Sequence, residues 1–282
     1  MKPAAFAYAK ARTLDHAIEL LGSDPDGTKI LAGGQSLVAT LNMRLSAPRL
    51  LVDINGLDAL KTITVADGHI EIGALVRQAQ AERSVEIAGR APLIARALPH
   101  IAHPAIRNRG TIGGSVAFAD PSAELPACLL ALDGEIVVAG TGGERRVRAD
   151  GFFRSLFETA LAPQEVLIRI RIPAARPDTR IGFAEFARRH GDYAMIGLAA
   201  SARAQGENLG DVRLAYFGVG STPVRARHAE AALGGGSLED ALAALDQDLD
   251  PPADLHASGA TKRYWARVLL GRVARQLREP PP

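Results

Sequence analysis

The feature that most constrains this 282-residue chain is a change in how its apolar runs are joined. Near the N-terminus two short runs, Lys29 to Ala32 and Leu50 to Ile54, read as buried strands flanking an apolar segment at Leu37 to Leu45. Strand, apolar crossover and strand predict a small parallel βαβ unit, because parallel strands need a long connection. Thr13 stands before Leu14, Ala17, Ile18 and Leu21, which fall at helical spacing; Thr13 caps that helix and Gly22 ends it. This first unit is expected to close near Gly56, giving a segment 1–56.

Beyond that point the connections shorten. Lys61 to Val65 and His69 to Gly73 are joined by Ala66-Asp67-Gly68, and Glu135 to Ala139 and Arg145 to Arg148 by the Gly142-Gly143 region. Such tight joins predict antiparallel hairpins. Helices are expected at Ala91 to Ile101 and Ala123 to Leu132, and a last strand at Val166 to Ile172 ends on Pro173. Two prolines, Pro173 and Pro177, bracket a linker that separates a second unit, 57–177, from a third, 178–282. The third has strand-like runs at Ile181 to Phe186, Ala194 to Ala200 and Val212 to Val219, then a helix at Ser258 to Leu277. The whole reads as α+β.

Composition removes several classes of function. Thirty-three Lys and Arg stand against 31 Asp and Glu with no long block of either sign, so neither a nucleic-acid nor an anionic-membrane surface is indicated. No run of about 18 apolar residues occurs, and the N-terminal segment lacks the continuous apolar core of a secretory signal, so a cytoplasmic protein without an integral membrane segment is expected. Cys128 is the single cysteine. It forms no intrachain disulfide, and it cannot by itself supply the four thiolates an iron–sulfur cluster normally takes.

Two segments carry ligand-binding chemistry. Ala32-Gly33-Gly34-Gln35-Ser36 lies where a buried strand gives way to a helical segment, a place where glycine lets backbone approach a bulky group and free amides favour phosphate. Thr111-Ile112-Gly113-Gly114-Ser115 supplies glycines, two hydroxyls and several backbone donors able to wrap a diphosphate. Neither matches the dinucleotide fingerprint or the phosphate loop of nucleoside-triphosphatases, and either glycine pair alone also fits a tight turn.

Together with their surroundings these segments are specific. ILAGGQSLVATLNMRL at 30–45, HPAIRNRGTIGGSVAFADPSAELPA at 103–127 and FARRHGDYAMIG at 186–197 resemble the FAD-binding medium subunits of molybdenum hydroxylases, the family of xanthine dehydrogenase and carbon monoxide dehydrogenase, over nearly the whole chain. The resemblance implies a vanillyl-alcohol-oxidase (PCMH)-type FAD-binding fold of two subdomains, followed by a C-terminal α+β domain of the CO-dehydrogenase flavoprotein type. It implies FAD on this chain, with Ala32, Gly33, Gly34, Gln35, Ser36 and Leu37 in one pyrophosphate loop and Thr111, Ile112, Gly113, Gly114 and Ser115 in the other. Glu124 falls where the family places an acidic residue on FAD; it also begins a helix, where its charge suits the helix dipole. Tyr193 corresponds to a residue near the isoalloxazine ring, with burial in the core as the alternative. Ile168 is placed either against the ring or in the core.

The resemblance further implies partners: a large subunit holding a molybdopterin-type cofactor and a small subunit holding two 2Fe–2S clusters, assembled as a dimer of heterotrimers. This chain would then accept electrons from the small subunit and pass them to an external acceptor, with no catalytic acid or base of its own. A self-contained flavin oxidoreductase and a flavin-free assembly subunit are the alternatives. His100 and His103 stand three apart without the further ligands a metal needs, Cys128 reads as a small buried hydrophobe, and Arg107 and Arg109 either position the second loop or meet a neighbouring subunit.

Overall fold

The computed structural model describes residues 2–279 and contains four sheets. The N-terminal unit runs β1 (Ala7–Lys10), α1 (Leu14–Ser23), β2 (Thr28–Leu31), α2 (Leu37–Asn42) and β3 (Leu50–Asp53). β2 and β3 pair in parallel, as the crossover pattern requires, and β1 pairs in parallel along the other edge of β3. Strand β1 was not expected from the sequence; three of its four residues are exposed, so it carries no apolar alternation. The Thr13 hydroxyl accepts from the His16 amide at 3.1 Å, capping α1, whose Ala17, Ile18 and Leu21 are buried.

The second unit comprises β4 (Ile63–Ala66), β5 (His69–Gly73), α3 (Gln78–Glu82), α4 (Val85–Arg90), α5 (Pro92–Ala97), α6 (Pro104–Arg107), α7 (Ile112–Phe118), α8 (Glu124–Ala131), β6 (Glu135–Gly140), β7 (Gly143–Arg148), α9 (Ala149–Phe152), β8 (Phe153–Ser155), β9 (Glu158–Thr159) and β10 (Val166–Pro173). Its main sheet is antiparallel in the order β4-β5-β10-β6-β7. The β4–β5 turn places Asp67 and Gly68 at φ 50° and 72°, the paired left-handed geometry of a two-residue hairpin. The helix expected over Ala91 to Ile101 is interrupted: α5 stops at Ala97 and a single 3-10 turn covers Leu98–His100, because Pro99 has no amide for the α-helical ladder.

A register shift between Leu167 and Arg169 bulges β10 opposite β6. It turns Leu167, Ile170 and Ile172 into one core, with α5 and α8, and Val166 and Ile168 into another, with Val52, Ile54 and Leu75. The five-stranded sheet is thereby buried against both the N-terminal unit and its own helices.

The third unit contains β11 (Thr179–Phe186), β12 (Ile196–Gln205), β13 (Asn208–Phe217), β14 (Val224–Arg225), α10 (Arg227–Gly234), α11 (Leu238–Asp248) and α12 (Gly259–Arg278), its four strands antiparallel in chain order. One face of the sheet packs Leu198, Leu214 and Tyr216 against Leu269, Leu270 and Val273 of α12. The other turns Phe183, Ala199, Ala215 and Phe217 toward the core that contains α5 and α8. The C-terminal sheet therefore forms a wall of the central core. Among the described residues no helix is long and apolar enough to cross a membrane.

A buried ammonium ties α12 to that wall. Lys262 donates to the Gly218 carbonyl at 3.0 Å and pairs with Asp254 at 2.7 Å, while the Gly218 amide donates to the Pro121 carbonyl at 2.8 Å. The hydrogen bond from Lys262 pulls the Asp254 carboxyl down to about 2. A depressed carboxyl stabilises the fold above its ordinary value and loses that contribution as pH falls through about 2. Asp254 is 39% exposed, so screening reduces the contribution to about 1 kcal/mol. Asp254→Asn is expected to lower stability by at least that much at pH 7, measured by denaturant unfolding, and to match the wild type below pH 2.

Candidate functional site

The two glycine segments, some 80 residues apart in sequence, lie directly against each other. A Cβ added to Gly33 would stand 2.4 Å from the Arg109 carbonyl oxygen and 2.9 Å from Gly110 Cα, both backbone atoms. Gly34 adopts φ 75°, a left-handed conformation that glycine takes without strain. The chain thereby turns from β2 into α2 with its amides unspent: no hydrogen bond among the described residues takes up the amides of Gly33, Gly34, Gln35, Ser36 or Leu37. Gly33 is buried at the root, and residues 34–37 are half-buried.

The second segment is built differently, and the expectation of several free backbone donors there is corrected. The Ile112 and Gly113 amides donate to the carbonyls of Val76 and Ala74, both at 2.9 Å. The Gly114 amide donates to the Thr111 hydroxyl at 3.0 Å, and the Ser115 amide to the Thr111 carbonyl at 3.2 Å. Thr111, Ile112 and Gly113 are buried roots that fasten the start of α7 to the 74–78 segment; Gly114 and Ser115 form its half-exposed rim. Gly113 is obligatory, since a Cβ would meet Ala74 at 2.5 Å.

One pair of side chains, not singled out by the sequence, joins the two segments. Asn55 donates to the Ala32 carbonyl at 2.8 Å and accepts from Arg77 at 2.7 Å; Arg77 also donates to the Arg109 carbonyl. Burial, then the neighbouring Arg109 guanidinium, lower the proton affinity of Arg77 below its usual range. The clip thus brings positive charge to the place where the two loops meet. Asn55→Ala removes the link to Ala32 and one acceptor of Arg77, leaving a partly buried guanidinium with the Arg109 carbonyl alone, a loss of ~1–2 kcal/mol. Flavin affinity is expected to fall about tenfold, read by fluorescence titration of the flavin-free chain with FAD.

Ile168 points its side chain into the core, where it is 2% exposed. Its carbonyl accepts from the Ala74 amide at 2.9 Å, and the Ala74 carbonyl accepts from Gly113, so the bulge in β10 supports the second loop through backbone. Arg107 is buried, pairs with Glu82 at 2.8 Å and donates to the carbonyls of Ile101 and Ala102. A Cβ on Gly191, at φ 85°, would meet the Ala102 carbonyl and the His103 ring at 2.8 Å. Arg107 therefore orders the seat on which the segment leading to Tyr193 rests.

Tyr193 is 68% exposed, which excludes the alternative of a core residue. Partial desolvation, then the charges of Asp120 and Glu124, raise its hydroxyl above the usual range. Glu124, the first residue of α8, is 6% exposed. Burial pushes its carboxyl up to about 8; its own amide opposes this, and the Glu185 and Asp120 charges add smaller upward contributions. Near neutral pH it is largely protonated, which gives it a hydrogen-bond donor as well as acceptors to offer a ligand. Cys128 is fully buried, and its thiol is pushed well up by desolvation and by Glu124 and Glu185.

The residues fit a dinucleotide-like flavin. A run of unspent amides and an adjoining basic clip suit a diphosphate, and the loop glycines leave no Cβ in the way of close approach.

Residues 4–175 match the family model described as the FAD binding domain in molybdopterin dehydrogenase, and residues 182–277 match the CO dehydrogenase flavoprotein C-terminal domain. The chain is 41% identical over 284 residues to the 6-hydroxypseudooxynicotine dehydrogenase complex subunit alpha of Paenarthrobacter nicotinovorans, covering 98% of this chain and 95% of that one. It is 33% identical to the carbon monoxide dehydrogenase medium chain of Hydrogenophaga pseudoflava, covering 97% of each. Among solved structures, carbon monoxide dehydrogenase from Hydrogenophaga pseudoflava superposes with a TM-score of 0.95 at 34% identity over 98% of both chains. Quinoline 2-oxidoreductase from Pseudomonas putida 86 gives 0.93 at 34% identity, over 99% of this chain and 98% of that one. Fold and relatives together define an oxidoreductase subunit. The chain belongs to the FAD-binding medium subunits of the molybdenum hydroxylase family.

Proposed function

We propose that this chain holds one FAD and carries electrons from a small subunit with two 2Fe–2S clusters to an external acceptor, the substrate being oxidised on a large subunit with a molybdopterin-type cofactor. The observation that carries this reading is the run of five unspent amides from Gly33 to Leu37, clipped through Asn55 and Arg77 to the second loop. Bound there, FAD supplies the two-electron to one-electron conversion such a relay needs. The protein's part is to bind and orient it.

In this reading residues 34–37 receive the pyrophosphate through backbone, and Gly114 and Ser115 approach it from the other side. The Glu124 carboxyl meets a ribose hydroxyl, and the exposed ring of Tyr193 covers the isoalloxazine at the mouth. A dimer of heterotrimers in the cytoplasm is the assembly this implies. The relatives named above as complex subunits and medium chains support a multi-subunit enzyme.

The test is a visible spectrum of the purified chain, alone and with its co-expressed partners. One FAD per chain, bleached by the substrate only when the partners are present, is the expected result. Bleaching of the isolated chain would mean a self-contained flavoenzyme, and a colourless assembled complex would remove the cofactor.

A further inference from the structure

Resting on that reading, a second feature gives the flavin site a task beyond binding. Full reduction of a flavin takes two electrons and two protons, and iron–sulfur clusters deliver electrons alone. The protons must reach the site through this chain or its surface. In that reading the flavin lies at Glu124 and Tyr193, and three carboxyl groups that the loops do not use feel one another's charge there: Asp120 and Glu124 ahead of and at the start of α8, and Glu185 on β11 of the C-terminal unit.

Glu185 is the unusual member. Its side chain is 6% exposed, one oxygen lies 3.2 Å from His100 Nδ1, and its other oxygen is fully buried with no hydrogen-bond partner. A buried carboxylate oxygen without a donor is costly unless a proton visits it. His100 is half-buried, packs its ring 4.9 Å from Phe183 and stands 6.0 Å from the ring of His190, which is exposed. The groups thus run from solvent at His190, through half-buried His100, to the buried carboxyls of Glu185 and Glu124, with Asp120 and the exposed Tyr193 at their other end.

We propose that Glu185 and Glu124 share a proton and, with His100 as their outlet toward solvent, act as the proton store of the flavin site, releasing a proton as the flavin is loaded with electrons and recovering it from water. Each two-electron loading to the fully protonated flavin draws two protons, supplied in turn through the store and replaced from water, and each reoxidation releases them to the external acceptor or to water. The C-terminal unit, which contributes none of the loops, thereby takes part in the flavin's redox cycle through Glu185. These residues position and move protons; the electrons come from the partner subunit.

The charged surroundings are compatible with this. Toward Glu124 lie Asp120, Glu185, Cys128 and the Tyr193 hydroxyl, with His100, His190 and His103 beyond. The cations on elements packed against α8 are engaged elsewhere: Arg213 and Arg148 on Asp133 past its far end, Arg96 on the Ile181 carbonyl and Gln276, Arg203 on Asp178 and Arg225 on Glu230. No cation among these neutralises the pair.

The test has two arms. In the flavin-free chain, infrared difference spectra against pH should show a protonated carboxyl band disappearing near pH 8. Glu185→Gln, which keeps shape and the contact to His100, should move that titration down by roughly one pH unit, because a like charge has been removed. Glu207→Gln, in the exposed β12–β13 turn, should leave it in place. In the assembled complex, the flavin midpoint potential should change its slope with pH at the same point, and Glu185→Gln and His100→Gln should shift or remove that break. A carboxyl titration indifferent to Glu185→Gln overturns the shared proton. A coupled titration with an unmoved break in the potential overturns the proton store. Failure of the wild-type complex to hold flavin overturns the FAD reading instead, and is told apart because the first arm needs no flavin.

Discussion

Gly33→Ala is expected to purify with less than about one-tenth of the wild-type flavin, an affinity loss of roughly 100-fold or ~2.7 kcal/mol. The cause is geometric. The new methyl would sit 2.4 Å from the Arg109 carbonyl oxygen and 2.9 Å from Gly110 Cα, and both belong to backbone that cannot rotate away. Arg109 O is itself held by Arg77, so relief must come by parting the two loops. Forced overpacking of this kind costs ~1–3 kcal/mol in stability. The larger effect falls on binding, because the amides of residues 33–37 lose their aim relative to Gly114 and Ser115. Gly34→Ala provides a graded comparison: φ 75° imposes strain of ~1–2 kcal/mol, but its contacts at 3.3 Å are with the Leu31 and Val38 side chains, which can adjust. Gly89→Ala, on α4 with open space around it, should change neither flavin content nor fold, and by helix propensity should stabilise by up to ~1 kcal/mol. Flavin-to-protein ratio by absorbance and affinity by fluorescence titration decide the matter. A yellow Gly33→Ala chain with ordinary affinity would mean that the loops do not form one cradle.

Residue type explains which parts of this site sequence could reveal. Glycines at close approaches are conspicuous, and the parallel βαβ unit and both hairpins follow from apolar spacing and turn residues. Asn55 and Arg77 are ordinary residues 22 positions apart; they matter only because β3 and the segment after β5 converge at Ala32 and Arg109. Nothing local marks that convergence. The second loop shows the opposite error: its composition promised free amides, yet tertiary pairing with Ala74 and Val76 uses two of them. Strand limits drifted for a related reason. The run at Ala194 to Ala200 is only the apolar half of β12, which continues to Gln205 through Ser201 and Arg203, because pairing with β11 and β13 satisfies its backbone whatever the side chains are. Glu185 was legible only as one acidic residue in a strand, and its burial is a property of how the C-terminal sheet closes over α5 and α8.

Raising the pH from 5 to 9 is expected to cost the flavin-free wild type about 4 kcal/mol of stability relative to Glu124→Gln. The folded chain holds the Glu124 proton up to about 8, whereas the unfolded chain releases it near the ordinary 4.5. Between those values the unfolded state is the one that has lost its proton, so rising pH favours unfolding. Above about 8 both states are ionised and the penalty stays constant. Glutamine has no proton to lose, so the difference between the two curves isolates this group. The carboxyls held low by their partners, among them Asp53, Glu165 and Asp178, give up their contributions on the acid side, below the window used. Asp120, raised by burial, acts in the same sense as Glu124 but is common to both proteins. Urea unfolding at closely spaced pH values gives the two curves. Parallel curves would show that Glu124 ionises as freely in the folded chain as in the unfolded one, which a side chain 6% exposed beside Glu185 and Asp120 does not allow. A wild-type curve that falls away from the variant's between pH 5 and 8 and then runs parallel to it would establish a neutral carboxylic acid at the flavin site near physiological pH. Such a group can give a hydrogen bond to a ribose hydroxyl as readily as take one, and can hold a proton in reserve for the redox cycle.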